Sequence, residues 1–172
     1  AGAKRIIVGL GGSATTDGGL GALAAIRSPA RLKAVELLVA CDVTTTFTDA
    51  ARIFGPQKGA TPNQIKMLTR RLEQLAQRYQ ADFDCDVTQI EGSGAAGGIA
   101  GMLAALGGRI TPGFELVADE LDLYDHVATA DLVITGEGHL DAQSFEGKVV
   151  GGLAEVAEEY GVPIAAIVGI AD

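Results

Sequence analysis

Residues 131–170 read DLVITGEGHLDAQSFEGKVVGGLAEVAEEYGVPIAAIVGI. Asp131–Thr135 is a short apolar run bounded by turn residues, the pattern of a buried strand. Gly136-Glu137-Gly138 reads as a turn at its C-terminal end. Lys148–Tyr160 reads as a helix, stopped by Gly161 and Pro163. Ile164–Ile170 is a second apolar strand. Strand, loop, helix and strand over this length make one βαβ unit, which implies a parallel pair and an α/β fold.

The same grammar recurs upstream. Arg5–Leu10 (RIIVGL) reads as a buried strand running into GGSATTDGG, and Leu20–Ile26 as a helix. Glu36–Cys41 (ELLVAC) is another buried strand, ending at Asp42. Thr61–Tyr79 carries the plainest helix signal. Thr61 is placed as N-cap, Pro62 stands at the first helical position, and Gln64 completes a capping box. Ile65, Leu68, Leu72, Leu75 and Tyr79 then recur on one face. The Lys and Arg residues between them read as a solvated face. Ile99–Leu106 is apolar on all sides and reads as a buried helix, Gly107–Gly113 as a loop, and Phe114–Val127 as an irregular helix.

Composition narrows the function. Hydrophobic residues make up 48% of the 172, which excludes a disordered chain. The net charge of −9 argues against nucleic acid as a partner, because phosphate contacts need clustered Lys and Arg. The two cysteines, Cys41 and Cys85, have no CxxC spacing and read as reduced thiols rather than zinc ligands or a disulfide. His126 and His139 are isolated, with no metal constellation around either. No apolar run reaches the roughly 18 residues of a membrane span. The opening AGAKRIIVGLGG lacks the apolar core and cleavage site of a signal peptide, so a cytoplasmic location is expected. The chain stops directly after a strand and begins almost on one, so part of a longer protein is expected.

Glycine, 24 of 172 residues, is about twice its usual share of roughly 7% and is clustered at strand ends. In open α/β sheets ligands bind beyond the C-terminal ends of strands, and Gly-rich turns there present backbone N–H groups to phosphate. Gly11, Gly12, Ser13 and Thr15 form such a turn, with Asp17 placed to hold Mg²⁺ or to cap the following helix. Asp42, at a strand mouth, suits Mg²⁺ or an acceptor hydroxyl; a turn-forming role is the alternative. Glu137 and Asp141 suit Mg²⁺ or substrate hydroxyls, and Lys148 a carboxylate or phosphate. Lys58 sits between glycines in GPQKGA. Gly94 belongs to GSGAAGG, which offers either backbone donors or close helix packing. No Walker A loop or GxGxxG is present, and the low aromatic content argues against a flavin.

Five stretches, IIVGLGGSATTDGGLG, VACDV, FGPQKGAT, GSGAAGG and DLVITGEGHLDAQSFEGK, occur in this order and cover most of the chain. Together they resemble the glycerate kinase family, type 1. The resemblance implies ATP and Mg²⁺ as cofactors, and D-glycerate as the acceptor, with 2-phosphoglycerate favoured as product. It implies an inserted α/β domain over residues 1–127 and part of a flavodoxin-like parallel-sheet domain over 128–172, in a monomer or homodimer. Asp42, Asp17 and Lys148 are then the catalytic candidates. Gly11, Gly12, Ser13, Thr15, Lys58, Gly94, Glu137 and Asp141 are expected to bind substrate or phosphate, and Asp42 and Glu137 the metal. Against the family pattern, Thr44-Thr45-Thr46 replaces Asp-Asn-Pro, His139 replaces Arg, and the segment between Ile26 and Arg31 is short. Those departures keep open a kinase for a related hydroxy acid, or a non-catalytic module that binds a sugar acid or nucleotide.

Overall fold

The computed structural model describes residues 2–141, 144 and 149–172. It is an α/β chain that divides into two compact units, Ala1–Thr111 and Pro112–Asp172.

The first unit is built on three parallel strands in the order β1 (Arg5–Gly9), β2 (Glu36–Ala40), β3 (Arg109–Thr111). The central strand β2 has Leu37, Leu38 and Val39 at 4%, 1% and 0% exposure. Successive side chains point to opposite faces, so both faces of β2 are covered, as its unbroken apolar run requires. β1 is an edge strand: Ile6 and Val8 pack on the core, whereas Ile7 is exposed. That corrects the reading of residues 5–10 as fully buried. β3 corrects the reading of 107–113 as a loop. Three residues carry no periodicity, and their strand identity comes only from pairing with Leu38, Val39 and Ala40.

The helices of this unit are α1 (Leu20–Ala25), α2 (Ala50–Phe54), α3 (Pro62–Phe83) and α4 (Ala95–Ala105). The Thr61–Gln64 capping box is formed in both directions, and the helix stops at Asp84, whose N–H reaches the Gln80 carbonyl with φ at 56°. Leu72, Leu75, Ala76 and Tyr79 bury the apolar stripe of α3 against Phe47, Met102 and Leu106. A fully buried Leu contributes about 1.5–3 kcal/mol relative to an exposed one, so this stripe is what keeps α3 docked.

The second unit contains α5 (Gly113–Glu120), α6 (Leu123–Ala128), β4 (Val133–Leu140), α7 (Val149–Tyr160) and β5 (Ile164–Ala171). The parallel β4–β5 pair required by the βαβ reading is present, in register from Val133↔Ile164 to Leu140↔Ala171. Two boundaries differ from the sequence reading. The single helix expected over 114–127 is broken at Asp122, which takes φ 49°. Gly136-Glu137-Gly138 is not a turn but the middle of β4, because backbone pairing with Ile167 and Val168 carries the strand through both glycines. Val127, Val156 and Ala157 form the core of this unit with Phe114, Val133 and Ile164 around them. Ile134 of β4 and Ile167 and Ile170 of β5 are exposed. Among the described residues no helix is long and apolar enough to cross a membrane.

Candidate active site

Three loops of the first unit interlock at the C-terminal ends of β1 and β2. The loop after β1 is fixed at Gly18. Its N–H donates to the Gly97 carbonyl at 2.9 Å, and its carbonyl accepts the buried Tyr79 hydroxyl at 2.8 Å. Gly18 has φ 68°, and a Cβ there would lie 2.5 Å from Leu75 Cδ2. A side chain there would hold a left-handed backbone and push the ends of Leu75 and Phe47 aside. Burial holds the Tyr79 phenol protonated, with its pKa pushed up to about 12, so it stays a donor across the working pH range. Sequence reasoning read Tyr79 only as a core residue, since its position on an apolar stripe says nothing of where its hydroxyl points. Tyr79→Phe is expected to lower stability by about 1–3 kcal/mol, because it leaves the Gly18 carbonyl buried and unpaired. A urea titration of the two proteins measures this.

Asp17 caps the turn into α1. Its Oδ1 accepts from the Gly19 N–H at 3.0 Å and its Oδ2 from the Gly21 N–H at 2.9 Å. Partial burial opposes the charge, but the bonds from Gly21, Gly19 and Thr15 outweigh it and hold the carboxyl below its ordinary range.

Lys58 is brought to the same loop from 45 residues away. Its Nζ donates to Ser13 Oγ at 2.9 Å and to the Thr15 carbonyl at 2.6 Å, and lies 6.0 Å from the centre of the Phe54 ring. The local sequence explains the aim. Pro56–Lys58 is a 3₁₀ turn, closed by Gly59 at φ 82°, which throws Lys58 off the end of α2. An ammonium has three donors, and two are used here, so one remains for an anion. Burial lowers the Lys58 pKa. Gly11 and Gly12 are exposed, with nothing within 4 Å of the space above either backbone. The structure thus joins Ser13, Thr15 and Lys58, with open glycine backbone at Gly11 and Gly12.

Gly94 has a different role. It is buried, its N–H donates to the Thr45 carbonyl at 2.9 Å, and a Cβ would meet the Thr46 carbonyl oxygen at 2.3 Å. Gly92 donates likewise to the Thr44 carbonyl at 3.2 Å. The Thr44–Thr46 segment, which departs from the family pattern, therefore seats the GSGAAGG turn through its backbone, which a change of side chain leaves intact. Ala96, Gly97 and Gly98 all take positive φ, and a Cβ on Gly97 would stand 2.0 Å from the Thr15 carbonyl oxygen. This turn is the wedge between the two strand-end loops. Ser93, within it, is fully buried, and its Oγ has no protein partner.

Asp42 is exposed at the mouth of β2. The neighbouring Cys41 donates its thiol to the Val43 carbonyl at 3.3 Å, and burial, with the Asp42 charge adding to it, raises its pKa. In the second unit, Glu137 stands on β4 with Oε2 buried and unpartnered. His139 Nε2 lies 2.9 Å from Asp172 Oδ2. Asp141 and Ser144 bond each other: the Asp141 N–H reaches Ser144 Oγ at 3.2 Å and the Ser144 N–H reaches Asp141 Oδ1 at 3.1 Å. Lys148 lies outside the described residues. Among the described residues no three His, Cys, Asp or Glu side chains converge as a metal cluster.

The model of the glycerate kinase family matches in two pieces, residues 1–29 and 26–172. The chain is 38% identical over 200 residues to the glycerate 2-kinase of Escherichia coli (strain K12), covering 98% of this chain and 52% of that protein. It is 38% identical over 200 residues to the glycerate kinase of Halalkalibacterium halodurans, covering 98% of this chain and 53% of that one. A crystal structure from Salmonella typhimurium LT2, named "putative glycerate kinase 2", superposes with a TM-score of 0.85 at 39% identity over 97% of this chain and 53% of its own. The chain spans about half the length of these relatives. The 200-position alignments exceed its 172 residues, so the relatives carry residues it lacks, and the family match breaks at 26–29, where the sequence is short. With the family's motifs in order, and the loop after β1 held by Lys58 and Tyr79, the chain belongs to the glycerate kinase family.

Proposed function

We propose that this chain is the greater part of the catalytic apparatus of an ATP-dependent kinase that phosphorylates D-glycerate, giving 2-phosphoglycerate. The observation that supports this best is the Lys58 ammonium seated on the Ser13–Thr15 loop, in a chain whose named relatives are glycerate kinases. Phosphoryl transfer depends chiefly on positioning and charge stabilisation. In this reading the Gly11 and Gly12 backbone and the third N–H of Lys58 hold phosphate oxygens, and the Ser13 and Thr15 hydroxyls turn from the Thr15 carbonyl and Asp17 to join them. The glycerate hydroxyl oxygen forms a bond to the γ-phosphorus as the bridging bond to ADP breaks, and the hydroxyl proton passes to Asp42. In the second unit, considered by itself, Lys148 is assigned to a carboxylate or phosphate and Asp141 to substrate hydroxyls.

For Mg²⁺ the fit falls on Glu137. Its buried Oε2 has no partner, and an orphaned carboxylate oxygen is a hard donor of the kind Mg²⁺ takes. Mg²⁺ is ordinarily held by one or two carboxylates together with waters and substrate phosphates, so three converging acids are not required. The ion would neutralise phosphate charge. Residues 1–127 are assigned to the inserted α/β domain and 128–172 to the flavodoxin-like domain, with the protein placed in the cytoplasm.

The test is glycerate-dependent release of ADP from Mg·ATP by protein of measured intact mass. Turnover that disappears when glycerate is omitted is the expected result. Nucleotide or glycerate binding without ADP formation would replace this reading with a non-catalytic binding module.

A further inference from the structure

The loop after β1 also walls a second feature. Thr16 and Asp17 close one end of a groove of about 410 Å³ that runs along α3. That volume is in the range of small-molecule sites, roughly 300–1,000 Å³. Its floor is apolar, made by Leu20 of α1 and by Leu68, Leu72 and Leu75 of α3. Arg71 and Arg78 stand on its rim. Arg78 is paired with Asp82 at 3.2 Å, whereas Arg71 has no ion pair or side-chain hydrogen bond among the described residues.

We infer that this groove holds the adenosine portion of a purine nucleotide whose phosphates lie at Ser13, Thr15 and Lys58. The inference rests on the kinase reading and supplies the place of the nucleoside. Three chemical features select that ligand. A flat ring system covers a Leu floor, and the planar Arg71 guanidinium stacks on an aromatic face. Asp17 accepts the Gly19 and Gly21 N–H groups and the Thr15 hydroxyl, and a ligand donor would take the place of that hydroxyl. As a carboxylate it takes donors only, so the ligand must bring N–H or O–H groups there, as ribose hydroxyls do. The connection is also short. Ser13 and Asp17 are four residues apart, so the two subsites are separated by at most about 14 Å even if the loop were fully extended. Base, ribose and phosphates then follow the order Arg71, Asp17, Ser13–Lys58.

The experiment compares binding of adenosine, ATP and inorganic triphosphate by calorimetry, on wild-type protein and on Leu20→Glu. Leu20 is 41% exposed and is the first residue of α1, where an acidic side chain suits the helix dipole, so the fold is expected to persist. Leu20→Glu should weaken adenosine and ATP at least tenfold and leave triphosphate within twofold. Equal ATP and adenosine affinities in the two proteins would overturn the inference and leave the groove as a surface hollow without a nucleoside. Should Leu20→Glu melt early, Arg71→Ala on the exposed rim gives the same reading, with the same two outcomes. A wild-type protein that binds neither adenosine nor ATP overturns the inference with the kinase reading. One that binds both, and loses them with Leu20→Glu, but releases no ADP, upholds the groove and overturns the kinase reading alone.

Discussion

Lys58→Met should lower kcat/KM for ATP by about a hundredfold or more while leaving the helical content of the protein unchanged. Removing one preorganised charge from a transition-state site commonly costs about 10²–10³ in rate. Methionine keeps the unbranched apolar stem that lies beside Phe54, so packing is largely conserved. What it removes is the ammonium that holds Ser13 Oγ and the Thr15 carbonyl and offers a third N–H to an anion. Lys58→Arg restores the charge but not the geometry, since a planar fork cannot copy three tetrahedral donors on two acceptors this close. It should recover only a small part of the loss. The pH profile carries a second signature. Burial disfavours the charged form, so the folded pKa lies below the ordinary 10.5, and activity that needs the ammonium falls on the alkaline side before that value. Steady-state kinetics on the three proteins between neutral and alkaline pH check both points. Unchanged turnover in Lys58→Met would remove Lys58 from the site.

Gly97→Ala is the largest expected change in stability, about 2–5 kcal/mol. Two independent costs contribute. Gly97 has φ 69°, and a left-handed backbone costs an L-residue about 1–2 kcal/mol. Its Cβ would also stand 2.0 Å from the Thr15 carbonyl oxygen and 2.9 Å from Thr16 Cα, and overpacking against backbone adds about 1–3 kcal/mol. Gly107→Ala separates the two. Gly107 has φ 93° but nothing within 4 Å of the added carbon, so it should show the backbone cost alone. Urea titrations followed by circular dichroism give the difference. Because the displaced atoms belong to the loop that carries Ser13 and accepts Lys58, Gly97→Ala should also lower turnover in the protein that still folds, whereas Gly107→Ala should not.

Features with local causes were legible in the chain. The capping box at Thr61–Gln64 and the spacing from Ile65 to Tyr79 set α3, because a helix N-terminus and its apolar face are satisfied within a few residues. Unbroken apolar runs separated by a helix-length segment set the parallel β4–β5 pair. The five ordered motifs gave the family. Which chemistry-bearing residues meet was set by long-range packing. Lys58 reaches Ser13 across 45 residues, and Tyr79 reaches Gly18 across 61, through bonds that no periodicity encodes. Arg109–Thr111 became a strand, and Gly136-Glu137-Gly138 stayed in one, because a neighbouring strand supplied backbone partners that outweigh a three-residue turn signal. GSGAAGG reads in sequence as donors for a ligand or as tight packing; in the fold the Gly92 and Gly94 N–H groups go to the Thr44 and Thr45 carbonyls. Local patterns fix where a helix begins and which face is apolar, while the direction of a hydroxyl, an ammonium or a glycine's open face is fixed by what folds against it.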